Sequence, residues 1–147
     1  MKNIYPLKTL LLVSGLALAL TACQESAQGS AQDVAETRAE GQLEVAEAQA
    51  EASEIAQQTQ QDLNAAVGTA YNEAVADATE LNAAARYDLA ITTAGAVYKT
   101  AMEACEAFGG TERDACMAQA KATHETAKLE AERTRELADA GADARRE

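Results

Sequence analysis

Only one proline, Pro6, occurs in the 147 residues, and alanine supplies about half of the 48% of the chain that is hydrophobic. Alanine is the strongest helix former and proline the strongest breaker, so beyond Pro6 helix propensity meets almost no opposition. The same alanines limit what a helix can bury. At about 25 cal/mol per Å² a methyl side chain adds little to a core. Larger residues are scarce, with no Trp, four Tyr and Phe108 as the one Phe. The expected fold class is all-α and thinly packed. A long alanine-rich helix, straight or kinked, is expected over 33–108. An antiparallel return helix over 109–140 would complete a helical hairpin.

Charge narrows the partners. The chain carries 12 Lys and Arg against 24 Asp and Glu, a net charge of −12. Residues 23–110 hold 15 of the acids and three of the bases. Such a surface repels nucleic acid and anionic lipid, and favours cations, basic proteins or simple solubility.

The first 22 residues read as a leader. Lys2 and Lys8 precede an apolar run from Leu10 to Leu20, the layout of a secretory signal. That run rises only about 16 Å as a helix, roughly half a hydrocarbon core, so it is too short to span one. At its end, Leu20-Thr21-Ala22-Cys23 resembles the lipobox of bacterial lipoproteins. The resemblance implies that a signal peptidase recognises Leu20, Thr21 and Ala22 and cuts before Cys23. Cys23 would then carry a diacylglyceryl group on its thiol and a further acyl chain, such as palmitate, on its amine. Each buried CH₂ is worth about 0.8 kcal/mol, so two or three chains anchor a protein durably. In this family an Asp after the cysteine favours inner-membrane retention. Gln24 stands there, which implies the outer membrane and a periplasm-facing body.

Residues 23–32 are small and polar without an apolar stripe, and read as a flexible lipidated tether. From Asp33 the pattern becomes helical. Asp33, Glu36, Glu40, Glu44, Glu47, Glu51 and Glu54 recur at spacings of 3 and 4, which aligns their carboxylates on one helix face. Two readings stay open: a solvated face, or a surface that loosely binds divalent cations or a basic partner through its oxygens. Val34, Val45, Ala56, Val67, Ala78 and Leu89 recur every 11 residues, a period that holds one face nearly in register; chance in an alanine-rich chain is the alternative. Leu63, Val67, Tyr71 and Val75 follow at i+4 steps. The best apolar stripe is Tyr87, Ile91, Ala94, Tyr98, Met102, Cys105 and Phe108. Gly41, Gly68 and Gly95 mark either kinks or a faint duplication, since Gly costs about 1 kcal/mol relative to Ala within a helix.

Cys105 and Cys116 bracket the stretch "EAFGGTERDA". Gly109-Gly110 suits a helix end, and Thr111 with Asp114 suits a capped helix start. The two cysteines fall symmetrically about that turn. In an exported chain with Cys23 acylated they form an even pair, which points to a disulfide. The spacing disfavours a redox motif, and His124 is the only histidine available to a zinc pair. His124 itself reads as a solvated bystander. The segment ACEAFGGTERDACMAQAKA is similar to the C-terminal part of small alanine-rich proteobacterial envelope proteins with a paired-cysteine turn. That resemblance also implies a Cys105–Cys116 bridge, and no activity. Lys121, Lys128, Arg133 and Arg135 would face the acids of the preceding helix, and residues 141–147 would fray.

No nucleophile–base set, phosphate loop or metal-ligand cluster is visible in the sequence. The chain therefore reads as a non-enzyme with no cofactor and no small-molecule substrate. Three functional readings remain: a lipid-anchored structural or interaction protein, self-associating or docking an unidentified envelope protein; an acidic module for cations or polycations; and a partly disordered, hydrophilic stress-type protein. The abundant lipoprotein that bolts outer membrane to cell wall uses a C-terminal lysine. Here the chain ends Arg145-Arg146-Glu147, which implies noncovalent attachment.

Overall fold

Three helices make up the described chain: α1 (Val13–Ala65), α2 (Thr69–Cys105) and α3 (Gly110–Arg146). The structure is a computed structural model. It describes the backbone of residues 13–147 and the side chains of residues 29–147 except Thr69. Residues 1–12 of the leader, and the side chains of Leu20, Thr21, Ala22 and Cys23, lie outside that description. The all-α expectation holds, but several boundaries move.

The single long helix over 33–108 is instead broken at Ala66–Gly68. Gly68 sits at φ 66°, a left-handed conformation that a Cβ disfavours by roughly 1–2 kcal/mol. The chain reverses there: the Tyr71 N–H donates to the Gly68 carbonyl at 3.2 Å, and Val67 is left 80% exposed. The expected tether is also revised, because residues 23–32 continue α1. They lack an apolar stripe, but their Ala, Gln and Glu residues are compatible with helix. The tail is revised too. Residues 141–146 belong to α3, and Ala142 is fully buried. The capping start at Thr111 does not form. Gly109 is the N-cap, no side chain caps the helix, and Gly110 takes φ 54°.

Helix pairing follows from named contacts. Glu44 of α1 meets Lys99 of α2, Thr59 meets Asn82, and Gly41 lies against Ala96. Between α2 and α3, Tyr87 meets Arg135, Tyr98 meets His124 and Cys105 meets Cys116. From Gly41–Ala96 to Thr59–Asn82, and through the three α2–α3 pairs, one number falls as the other rises, so neighbouring helices run in opposite directions. α1 and α3 both pack on α2 and scarcely touch one another.

The seam of α1 has a regular spacing. Ser30, Val34, Thr37, Gly41, Val45, Ala48, Ala52, Ile55, Thr59 and Leu63 are shielded, and every other residue from Gly29 to Ala65 is exposed. Their steps of 3 and 4 close on 11 three times over, the period that keeps a nearly straight helix in contact with its neighbour. Of the expected 11-residue series only Val34 and Val45 fall on this seam; Ala56, still within α1, is already exposed, and Val67 lies in the break.

Buried residues are almost all alanine: Ala76, Ala78, Ala85, Ala94, Ala96 and Ala131, with Cys105 fully buried. Such a core works only if backbones come close. A Cβ placed on Gly41 would lie 2.8 Å from the Ala96 Cβ, whereas one on Gly95 meets nothing within 4 Å. Gly41→Ala should therefore destabilise the protein by about 1–3 kcal/mol through overpacking, despite alanine's better propensity. Gly95→Ala should stabilise it by about 0.5–1 kcal/mol. Urea melts of the two variants check the opposite signs.

Candidate functional site

α2 carries two packed faces. Asn82 and Ala96 look toward α1, while Tyr87, Tyr98 and Cys105 look toward α3. At about 100° per residue these sets lie on roughly opposite sides of the helix. The three helices therefore form a layer, and a third face of α2 is left open between two helical walls. It floors a trough of about 1360 Å³. Val75, Thr79, Ala83, Ala90, Thr93 and Val97 line its floor; Ala56 and Leu63 stand on one wall, and Ala127 and Ala138 on the other.

The trough is nearly free of charge. Of the 24 acids in the chain only Glu130 lines it, with Arg86 and Arg135 as its bases. The segregation begins in the sequence of α1. Each member of the acidic stripe immediately precedes a seam residue: Asp33 before Val34, Glu40 before Gly41, Glu54 before Ile55. One residue is about a 100° turn, so the acids occupy one flank of the seam. The residues that follow the seam, Ala35, Gln42, Ala46, Gln49, Ala56 and Gln60 among them, include no acid. The end of that flank nearest the Gly68 break, Ala56 and Gln60 with Thr59 and Leu63 of the seam, forms the α1 wall of the trough.

All seven stripe carboxylates are exposed. Among the described residues Glu44 alone of them has an ion-pair partner, donated by Lys99 Nζ at 2.9 and 3.0 Å. No group of three or more His, Cys, Asp or Glu among the described residues is arranged to hold a metal ion.

Both ends of the layer are fastened. At the turn, Cys105 and Cys116 form a disulfide with Cα atoms 5.6 Å apart, within the usual range for such bridges. At the opposite end Arg146 forks onto α2. Its Nη1 and Nη2 donate to the two Glu80 carboxylate oxygens at 2.5 and 2.9 Å, and Nη2 donates to Asp77 at 2.7 Å. Those bonds hold the Glu80 carboxyl below the usual carboxylate range and raise the Arg146 guanidinium. Between the clamps, the Tyr98 and His124 rings stack at 4.8 Å and Arg135 lies 5.4 Å from the Tyr87 ring centre. The Tyr98 contact shields His124, which leaves its side chain 20% exposed rather than solvated. Thr59 is buried yet satisfied, accepting from Asn82 Nδ2 at 2.9 Å and donating to the Ala56 carbonyl at 3.1 Å.

Several expected contacts are absent from their expected places. Lys128 and Arg135 pair within α3, with Glu125 and Asp139, rather than with acids of α2. Phe108, the last member of the best apolar stripe, lies in the turn and is 50% exposed. The trough was not anticipated, although a signal exists: α2 has apolar residues around its whole circumference, the mark of a helix meant to be covered on more than one side.

No helix among the described residues is long and apolar enough to cross a membrane. No protein-family model matches the chain, and comparison with the curated proteins and with solved structures finds no match.

Two outcomes test the clamps. Replacing Cys105 and Cys116 by Ala should cost about 2.5–3 kcal/mol on the chain-entropy model, read from urea melts with and without reductant. The Arg146 clamp should be pH-dependent. Glu80 is depressed from 4.5, so its contribution is present above that value and is lost as pH falls through the lower folded one. The melting temperature of the native chain should exceed that of Arg146→Gln at pH 7, and the gap should close on acidification.

Proposed function

We propose that this protein is a lipid-anchored, non-catalytic structural and interaction protein of the bacterial cell envelope. It is held by acyl chains on Cys23 at the periplasmic face of the outer membrane. The sequence Leu20-Thr21-Ala22-Cys23 carries the anchor, and Gln24 the choice of membrane. The Cys105–Cys116 disulfide supports the address, because such bonds persist in oxidising compartments. The observation that favours interaction over chemistry is the trough itself: about 45 Å of small-residue helix surface whose charged side chains are only Arg86, Glu130 and Arg135, with no nucleophile–base pair on it. A surface of this kind takes another helix. The disulfide-closed hairpin of α2 and α3, with α1 folded back on α2, would be the body presented to the periplasm.

Mass spectrometry of the protein isolated from its own membranes tests the anchor. The expected N-terminal residue is Cys23 carrying a diacylglyceryl group. An intact leader or an unmodified thiol at Cys23 would end this reading. Cys23→Ser should leave the leader uncleaved.

A second reading draws on the acidic flank, six of whose seven carboxylates have no ion-pair partner among the described residues. Carboxylate oxygens along one exposed face would bind divalent cations or a basic peptide loosely. Calorimetry with Ca²⁺, Mg²⁺ and a cationic peptide should show heat that vanishes when the stripe is changed to Gln. Equal heat from the Gln variant would remove the stripe from consideration.

A further inference from the structure

We propose that the trough is the contact face of a two-fold symmetric dimer, and that the occupant is a second copy of this chain with its helices antiparallel to the first. The proposal deepens the interaction half of the reading above and rests on it; the anchor is not needed for it.

The first argument is charge. The trough holds two charges without ion-pair partners among the described residues, Arg86 on α2 and Glu130 on α3. Along α2 the trough runs from Val75 to Cys105, so its midpoint is Ala90. Arg135 is level with Tyr87 and His124 with Tyr98, which sets Glu130 level with Thr92. Arg86 thus lies on one side of the midpoint and Glu130 on the other. A two-fold axis perpendicular to the helices at Ala90 carries Arg86 to the level of Ala94 in the second copy. That is within about 3 Å of the level of the copy's Glu130. Symmetry makes the contact twice, as an isologous interface requires. A two-fold parallel to the helices would instead set Arg86 against Arg86.

The second argument is repulsion. Each copy carries −12, so association needs a face poor in acids, and Glu130 is the one acid that lines the trough. The acidic flank of α1 and the α2 acids Asp77, Glu80 and Asp88 all lie off the trough. Across a helix diameter of about 10–12 Å their fields are largely screened at physiological salt.

Sedimentation equilibrium of the full chain in mild detergent, with helicity followed by circular dichroism, tests this. Dimers should form at micromolar concentration. Ala90→Cys should crosslink to its copy under mild oxidation, and Asp88→Cys, on the outer side, should not. Arg86→Glu and Glu130→Arg should each weaken the dimer about tenfold or more at unchanged helicity, and together restore it to within about threefold. A chain that stays monomeric at about 100 µM overturns the proposal. So does a dimer indifferent to both charge reversals, because its contact face would lie elsewhere. A monomer with acylated Cys23 would sink the dimer and leave the anchor standing; a dimer with an intact leader would do the reverse.

Discussion

Close approach of backbones is the constraint from which the rest follows. A methyl group has little area to bury and short reach, so alanine seams gain dispersion contacts only where helix axes come near. Gly41 against Ala96 marks the tightest point: no side chain fits on the α1 side, and the β-carbon of α2 fills the gap. Since each contact is weak, many are needed, and α1 supplies them over ten shielded positions from Ser30 to Leu63. The disulfide and the Arg146 fork then fix the ends of the α2–α3 pair. These hold register that shallow alanine ridges hold poorly. An exposed ion pair contributes little alone, but a forked guanidinium shared by Glu80 and Asp77 has a defined geometry that a single lysine contact lacks.

Thin packing also explains where the charge sits. A seam of small residues leaves its flanks close to the partner helix, and a carboxylate on both flanks would be forced against it. In α1 the acids take the flank before the seam, and the flank after it is neutral except for Arg38. Repulsion along the stripe amounts to only a few tenths of a kcal/mol per pair, which a helix of 53 residues packed along α2 tolerates. One edge of the layer thus repels and the opposite face does not, although the chain as a whole is strongly acidic.

Helix content, the acid stripe and the cysteine pair were all legible in the sequence, because each is a local pattern, whereas the expected 11-residue series leaves the seam at Ala56. The reversal at Gly68 was not. Gly41, Gly68 and Gly95 look alike in sequence, yet Gly41 sits in a close crossing, Gly95 faces open space and only Gly68 turns the chain. What separates them is tertiary: each position is decided by what lies across from it. His124 and the tail were misjudged for a related reason. His124 is shielded by Tyr98, and residues 141–146 are held by burial of Ala142 and by Arg146 reaching Glu80, 66 positions away. The trough escaped notice because it belongs to no single helix.

The proposed anchor and the proposed two-fold constrain each other. On the observed register, Cys23 projects beyond the Cys105 end of α2, about 40 Å from the level of Ala90. The proposed perpendicular two-fold would send the second copy's Cys23 the same distance the other way, so acyl anchors there would stand about 80 Å apart along the helix axis. α1 is helical from Val13 to Ala65, which leaves little slack to bring them together. Two copies, if acylated and held on one bilayer as proposed, would then lie along its surface, with helices parallel to it. An upright rod would keep one anchor in water, at about 0.8 kcal/mol for every exposed CH₂. The break at Gly68 would make that flat arrangement compact: folding α2 back beside α1 turns a single helix of about 110 Å into a layer whose trough lies beside α1.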